Sequence, residues 1–250
     1  MSTRAFAPTP AGAELVGGAT IELDDEESHY LIKVRRVRVG ERFELIDPRG
    51  GIRDATLVRV GRRVEVCVGD LLPRPEPDER VLLLGLPDPA ATLEALTGAS
   101  EAGASEIVLV RCARSQGRAP AAARVERVLR AAQRQCGRAR APSIRGLDEP
   151  WPLARALEHR AELPGWFAWE ELSGSPGAIV EVEGGLRLLV GPEGGFTAAE
   201  AEQIAAAGLR AVSLGPWILR TPTAAVALLA RAWARAAAGE GRADALDARE

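Results

Sequence analysis

The chain has 250 residues, of which 46% are hydrophobic and 27% are charged, and its formal net charge is −3 at pH 7. These values are typical of a folded globular protein with one large domain or two modest ones. No apolar run reaches the roughly 20 residues of a membrane span, and we expect no signal peptide. The three cysteines are widely spaced and form no CxxC pair, which predicts reduced thiols in a cytoplasmic protein and no metal site.

The small net charge conceals an uneven distribution of arginine. Ten arginines and one acid, Glu126, fall between residues 111 and 145, so this window carries a net charge of +9. One explanation is a surface that faces a polyanion such as RNA. The other is a codon bias that favours arginine, and the sequence leaves both open.

The first seventy residues are predicted to be rich in β-structure. Residues 42–48, 52–60 and 62–70 alternate apolar and polar side chains and are separated by glycine turns, which predicts a small barrel. Residues 27–41 predict a short helix with a basic face. The stretch 71–80 contains three prolines and is predicted to be a linker between domains.

Beyond the linker, strands alternate with helices, and several strands are continuous apolar runs. This pattern predicts an α/β domain with a parallel sheet that is covered on both faces. The predicted elements, in chain order, are a strand at 81–86, a helix near 90–102, a strand at 106–110, a helix at 121–137, strands at 165–171, 186–190 and 211–215, and a helix from about 222 to 238.

A glycine-rich turn interrupts the stretch "LLVGPEGGFTAAE" at residues 191–195. Thr197 and Glu200 form a predicted capping box, so a helix begins there and ends at Gly208. The turn therefore joins the carboxyl end of a strand to a helix N-terminus, where open α/β sheets bind ligands. It lacks the lysine of a P-loop, and its carboxylate favours a nucleoside or a cationic ligand over a phosphate.

A second stretch, "VSLGPWILRTPTAAVALLA" at residues 212–230, repeats the arrangement of strand, loop and helix. Thr221 is the predicted N-cap of that helix, with Pro222 at its first position. Two neighbouring loops of this kind predict two walls of one pocket.

These two stretches resemble those of the 16S ribosomal RNA uridine-N3 methyltransferases, which belong to the SPOUT class of trefoil-knotted enzymes. The resemblance extends to "HYLIKVRRVRVGERFELIDPRGG", "RCARSQGR" and "RQCGRARAPSI", and it covers nearly the whole chain in the family's order. It implies a PUA-like β-barrel that binds RNA at residues 1–73, a SPOUT α/β-knot methyltransferase domain at 80–238 and a flexible tail at 239–250.

The resemblance also implies a cofactor, a substrate and a set of site residues. The cofactor is S-adenosyl-L-methionine, the substrate is one uridine of 16S rRNA or the small ribosomal subunit, and the enzyme is a homodimer without a metal. The implied cofactor-binding residues are Trp169, Glu170, Gly191, Glu193, Gly194, Leu214, Gly215, Ile218 and Leu219. The predicted RNA-binding residues are Arg35, Arg36, Arg114, Arg134 and Arg138.

The implied chemistry requires the N3 proton of uracil to leave, with negative charge developing on the base. Arg220 is the predicted catalytic residue because it lies at a helix N-terminus and keeps its charge. A surface arginine that binds phosphate is the alternative interpretation. Glu193 is either a base or a residue that holds the turn, and the second role is favoured. His29 and His159 are interpreted as ordinary surface residues.

The sequence departs from the family's usual pattern near the expected site. Trp217 and Pro222 replace an arginine and a glutamate, Arg134 replaces a glutamate, and a lysine usually found near Gly98 is missing. Two alternatives therefore stay open beside the enzyme named above. One is a SPOUT enzyme with another RNA target, and the other is a non-catalytic RNA-binding protein that keeps the knot.

Overall fold

The computed structural model describes residues 2–8, 15–47, 50–74, 78–170 and 184–239, with side chains of the last helix described as far as residue 232. The chain divides into two compact units. The first consists of Met1–Glu76 with Arg130–Ala141, and the second of Pro77–Leu129 with Pro142–Glu250. The division near residue 76 falls within the stretch predicted as a linker. The sequence pattern did not predict that Arg130–Ala141 belongs to the first unit. The predicted tail lies outside the described residues except for residue 239.

The first unit is built on a mixed five-stranded sheet. Its elements are β1 (Arg4–Phe6), β2 (Thr20–Glu22), α1 (Asp25–His29), a π-helical turn (Tyr30–Val34), β3 (Arg42–Ile46), β4 (Ile52–Val60) and β5 (Val64–Leu71). The strand order is β1-β3-β4-β5-β2, and every pair is antiparallel except β1 with β3. Alternate residues of β4 and β5, such as Leu57 and Val66, are fully buried in one core.

The three longest strands of this unit confirm the sequence prediction. The helix predicted at 27–41 is present only in part and its predicted basic face is wrong: α1 begins with three acids, and Lys33 is the one lysine or arginine within the helical residues 25–34. The helix is shorter than predicted, and its N-cap is Asp24, whose carboxylate accepts a hydrogen bond of 2.8 Å from the Glu27 backbone N–H. The strands β1 and β2 were not predicted. Each has three residues, which is too short for an alternating pattern to be recognised.

The second unit contains a parallel sheet with connecting helices. Its elements are β6 (Arg80–Gly85), α2 (Pro89–Glu101), β7 (Glu106–Arg111), α3 (Ala122–Cys136, which ends in the first unit), β8 (Ser143–Arg145), β9 (Trp151–Pro152), α4 (Leu153–Glu158), β10 (Gly165–Ala168), β11 (Leu186–Val190), α5 (Ala198–Ala206), β12 (Leu209–Val212) and α6 (Thr221–Gly239). The strand order is β12-β10-β11-β6-β7-β8, and β9 also pairs with β7.

The central strands are buried on both faces, as their continuous apolar sequences predict. Val81 and Leu83 of β6 pack in one core with side chains from α4 and α5. The intervening Leu82 and Leu84 are equally buried, and α6 packs against α2 and β11. The predicted α/β class with a parallel sheet is confirmed. The knot stays a prediction, because strand order does not by itself trace the threading.

Two local predictions around β12 have different outcomes. The capping box of α5 is confirmed: Thr197 accepts from the Glu200 backbone, and the Glu200 carboxylate accepts from the Thr197 N–H at 2.9 Å. The strand predicted at 211–215 is displaced, because β12 starts directly after Gly208 and ends at Val212. The apolar run that suggested the later strand continues into a loop.

None of the described helices is both long and apolar enough to cross a bilayer.

Candidate active site

Three loops follow the three neighbouring strands β12, β10 and β11 at the carboxyl edge of the sheet. They supply the walls of one cleft, here called the main cleft. Residues 169–170 follow β10, residues 191–195 (the glycine turn) follow β11, and residues 213–219 follow β12. The carboxyl edge of a parallel sheet is where such folds bind their ligands. The second loop predicted from sequence thus lies beside the first.

The glycine turn is fixed by hydrogen bonds at both ends. The buried Thr221 hydroxyl donates to the Gly191 carbonyl at 3.0 Å, which ties the start of α6 to the turn. The Gly195 N–H donates to the Pro192 carbonyl at 2.8 Å. The Glu193 carboxylate accepts from the Asp88 N–H at 3.2 Å. This contact favours the turn-holding role of Glu193 over the role of a base.

Thr221 is not the N-cap that the sequence predicted. It is the first residue of α6 rather than the residue before it. Its hydroxyl donates across to the glycine turn, a contact that no local sequence pattern signals. Pro222 then falls in the first turn of the helix, where proline is tolerated because the backbone N–H has no helical partner there.

The loop after β10 forms an aromatic and acidic wall. The Trp169 ring stacks on Phe167 with ring centroids 5.9 Å apart. The Trp169 backbone N–H donates to the Val212 carbonyl at 3.0 Å. Glu170 lies over the glycine turn: a Cβ added to Gly195 would lie 2.1 Å from its Oε1. Gly195 has a positive φ of 67°, so both its backbone and its surroundings favour glycine.

The loop after β12 forms an exposed apolar rim. Trp217 and Ile218 are 80% and 84% exposed, although both side chains are large and apolar. Gly215, with φ of 133°, allows the chain to turn between them and Ser213, whose hydroxyl contacts the Gly215 backbone. Such exposed apolar side chains on a cleft mark a surface that binds a partner or a ligand.

Eight of the nine residues expected at the cofactor line the main cleft: Trp169, Glu170, Gly191, Glu193, Leu214, Gly215, Ile218 and Leu219. Gly194 lies instead on a neighbouring cavity, where an added Cβ would lie 3.0 Å from the Cβ of Arg114. Arg220 is exposed and is not among the described residues that line the cleft, so its catalytic role stays a prediction.

The arginines expected to contact RNA have varied surroundings. Arg114 is exposed but donates to the Gly194 and Phe196 carbonyls at 2.8 and 3.2 Å, so it also braces the glycine turn. Arg138 is partly buried, and burial lowers its pKa. Arg35 and Arg36 are both exposed. The Arg35 side chain donates to the Thr3 hydroxyl at 3.1 Å, and the Arg36 backbone has a positive φ of 57°.

The Arg134 side chain forms its contacts within the first unit. Its guanidinium donates to the fully buried Glu27 carboxylate, which also accepts from Arg130 at 3.2 Å and from the Phe6 N–H at 3.1 Å. The Arg134 guanidinium lies 4.1 Å from the centre of the Tyr30 ring. Burial raises the pKa of Glu27, and the two arginines oppose that rise. Arg134, predicted to bind RNA, and its neighbour Arg130 are therefore both engaged with a buried carboxylate.

We expect Arg134→Ala to lower the free energy of unfolding by about 3 kcal/mol, because it removes one partner of a buried charge. Arg127→Ala is the matched control, since Arg127 is exposed on the same helix, and we expect it to change stability by less than about 0.5 kcal/mol. Urea denaturation measures both. Equal stability of the two variants would contradict the structural role of Arg134.

A parallel α/β unit with a cleft at the carboxyl edge of its strands is the arrangement in which open α/β sheets bind their ligands. The family model of the RNA methyltransferase domain matches residues 74–233, and that of the RNA methyltransferase PUA domain matches residues 23–66. The chain belongs to the RNA methyltransferase family.

Known relatives and solved structures are similar over most of their length. Ribosomal RNA small subunit methyltransferase E of Mycobacterium bovis is 33% identical over 227 residues, which is 85% of each chain. The protein of the same name from Synechocystis is 28% identical, over 85% of this chain and 72% of its own. The crystal structure of the Neisseria gonorrhoeae protein of that name, bound to S-adenosyl methionine, matches with a TM-score of 0.78 at 26% identity, covering 92% of this chain and 96% of that one.

Proposed function

We propose that this protein transfers the methyl group of S-adenosylmethionine to N3 of a uridine in 16S rRNA. The observation that carries the proposal is the main cleft, where three loops from three neighbouring strands meet around eight residues expected at the cofactor. The relatives named for small-subunit rRNA methylation, and the related structure bound to S-adenosyl methionine, support the same reading. The cell compartment that fits this substrate is the cytoplasm.

The donor set of the cleft fits this cofactor. Backbone groups of the glycine turn and of residues 213–219 are available to the adenosine and amino acid parts, and Leu219 and Ile218 supply apolar contact. Glu193 and Glu170 line the same cleft and favour a ligand that carries positive charge. The bound cofactor would supply an electrophilic methyl group on a sulfonium sulfur.

The methyl transfer requires no reactant besides S-adenosylmethionine and the uridine. N3 forms a bond to the methyl carbon, the carbon–sulfur bond breaks with its electron pair on sulfur, and the N3 proton is released to water. The chain must therefore hold the base in place and stabilise the negative charge that develops on its oxygens. Arg220, the residue just before α6, is one residue that we propose for the second task.

The test of this function uses small ribosomal subunits from a strain that lacks the modification. With labelled S-adenosylmethionine, the protein should label 16S rRNA in these subunits and leave fully modified subunits unlabelled. The two open alternatives give other results. Label in a different RNA would identify a different target, and cofactor binding without transfer to any RNA would identify a non-catalytic protein.

We propose that Arg35, Arg36, Arg114 and Arg138 contact rRNA phosphates, and Arg36 allows a sharp test. Arg36→Gly removes the charge at a position whose backbone already favours glycine, so the free energy of unfolding should stay unchanged or rise. The slope of log affinity against log salt should become less steep by about 0.7 to 0.9 if one phosphate contact is lost. An unaltered slope in filter-binding measurements would exclude this contact.

We also propose a homodimer, as the resemblance to the SPOUT class implies. Leu228 and Leu229 of α6 are fully buried within one chain, so they do not require a partner surface. The exposed Trp217 and Ile218 now support the proposal, since a partner that covers them would remove apolar surface from water. Light scattering at micromolar concentration should give twice the chain mass of 26.5 kDa, and a monomer would contradict the proposal.

A further inference from the structure

A second cavity opens on the other side of the glycine turn. It lies at the carboxyl edge of β11, β6 and β7, whereas the main cleft lies at the edge of β12, β10 and β11. Its walls include Asp88, Arg114, Gln116, Arg118, Glu193 and Gly194. Glu193 lines both spaces, so the two spaces meet at the glycine turn.

The loop that carries Gln116 and Arg118 is fixed along its length. The Ala113 N–H donates to the Glu200 carboxylate at 2.7 Å, and Arg114 donates to the Gly194 carbonyl at 2.8 Å. At the other end, the Arg111 guanidinium donates to the Gly117 carbonyl at 2.7 Å. Gly117 passes so close to Pro87 that an added Cβ would lie 1.9 Å from the Pro87 carbonyl oxygen.

Gln116 and Arg118 are exposed on this fixed loop. Within the described ranges of the chain, neither side chain makes a hydrogen bond or an ion pair. Arg114 in the same loop is occupied by the glycine turn, and the Asp88 carboxylate is occupied as the N-cap of α2. The cavity therefore offers two uncommitted groups of hydrogen-bond donors on a loop whose backbone is held by its neighbours.

We propose that this second cavity holds the base of the target nucleotide, with Gln116 and Arg118 donating hydrogen bonds to its carbonyl oxygens. The inference rests on the proposed function, because methyl transfer requires the acceptor to lie in a space that adjoins the cofactor. Uracil carries a carbonyl oxygen on each side of N3, and these oxygens take up negative charge as N3 loses its proton. Donors aimed at developing charge accelerate such reactions.

The charges of the cavity favour a base over a phosphate group. The lining carries two carboxylates, Asp88 and Glu193, and two guanidinium groups, Arg114 and Arg118, so its formal charges cancel and give no net attraction for a phosphate. A neutral base needs no net positive charge, and its oxygens match the guanidinium and amide donors. Arg118 and Gln116 therefore act on the base and not on a phosphate.

The experiment compares Gln116→Ala, Arg118→Ala and the control Arg210→Ala in methyl transfer to undermethylated small subunits. Arg210 is an exposed arginine of β12 outside both spaces. We expect kcat to fall about a hundredfold in each cavity variant, while calorimetry gives an S-adenosylmethionine Kd within twofold of the wild type. Arg210→Ala should retain wild-type kcat.

Three outcomes would overturn the inference. Wild-type kcat in both cavity variants would exclude the cavity as the base site. A higher KM with unchanged kcat and a less steep salt slope in Arg118→Ala would assign Arg118 to a phosphate. NMR titration with uridine at millimolar concentration measures uridine affinity without requiring methyl transfer. Equal uridine affinity of the wild type and Gln116→Ala would also contradict the inference. If the wild type binds uridine through Gln116 but transfers no methyl group, the proposed function fails and the inference stands.

Discussion

Gly195→Val is expected to weaken S-adenosylmethionine binding at least about a hundredfold, equivalent to about 2.7 kcal/mol. Gly195 has a positive φ of 67°, and its added Cβ would lie 2.1 Å from the Glu170 carboxylate. The valine must therefore displace either the turn backbone or Glu170, and both line the main cleft. Because the cofactor is expected to bind largely through the backbone of this turn, a shift of the turn removes several contacts at once. Isothermal titration calorimetry measures the change.

Gly208→Val is the matched control for this experiment. Gly208 also has a positive φ, of 87°, but it is exposed just beyond α5, and an added Cβ would have no neighbour within 4 Å. Both variants should lose about 1–2 kcal/mol of stability from the left-handed backbone, and only Gly195→Val should lose cofactor affinity. Equal affinity in the two variants would contradict the assignment of the glycine turn to the cofactor.

Arg187→Met is expected to cause the largest loss of stability, roughly 3–5 kcal/mol. Arg187 is 1% exposed on β11, and burial lowers the pKa of its guanidinium, which stays charged. It donates to four backbone carbonyls, those of Leu157 and His159 at the end of α4, Leu163 in the loop before β10, and Ala207 at the end of α5. Methionine fills a similar volume but leaves these acceptors without their donor.

Urea denaturation measures this effect, and Arg210→Met serves as its control. Arg210 is exposed on β12 of the same sheet, so its replacement should change the free energy of unfolding by less than about 0.5 kcal/mol. A loss below 1 kcal/mol in Arg187→Met would mean that water replaces the guanidinium at those carbonyls.

The sequence predicted those parts of the fold that depend on periodic patterns. The alternation in residues 52–60 and the continuous apolar runs at 81–86 and 186–190 correspond to β4, β6 and β11. The capping residues Thr197 and Glu200 located the start of α5, because capping depends on a fixed spacing of three residues. The main cleft followed from glycine-rich loops placed after strands of a parallel sheet.

Contacts between distant residues could not be predicted in this way. The Arg134–Glu27 pair joins residues 107 positions apart, and its arginine belongs to a helix face that sequence pattern assigned to RNA. Arg187 lies in an otherwise apolar strand, and the local sequence does not indicate its four carbonyl partners. Thr221 was identified as a capping residue, whereas its partner, Gly191, lies 30 positions earlier. Such partners are fixed by packing of the chain and have no local signal.

The most direct test of the central claim identifies the methylated nucleoside. Undermethylated small subunits are incubated with the protein and labelled S-adenosylmethionine, the 16S rRNA is digested to nucleosides, and the products are separated by liquid chromatography with mass detection. The label should appear in 3-methyluridine, at one site per subunit, and Gly195→Val should give none. Label in any other nucleoside, or no label with the wild-type protein, would contradict the proposed function.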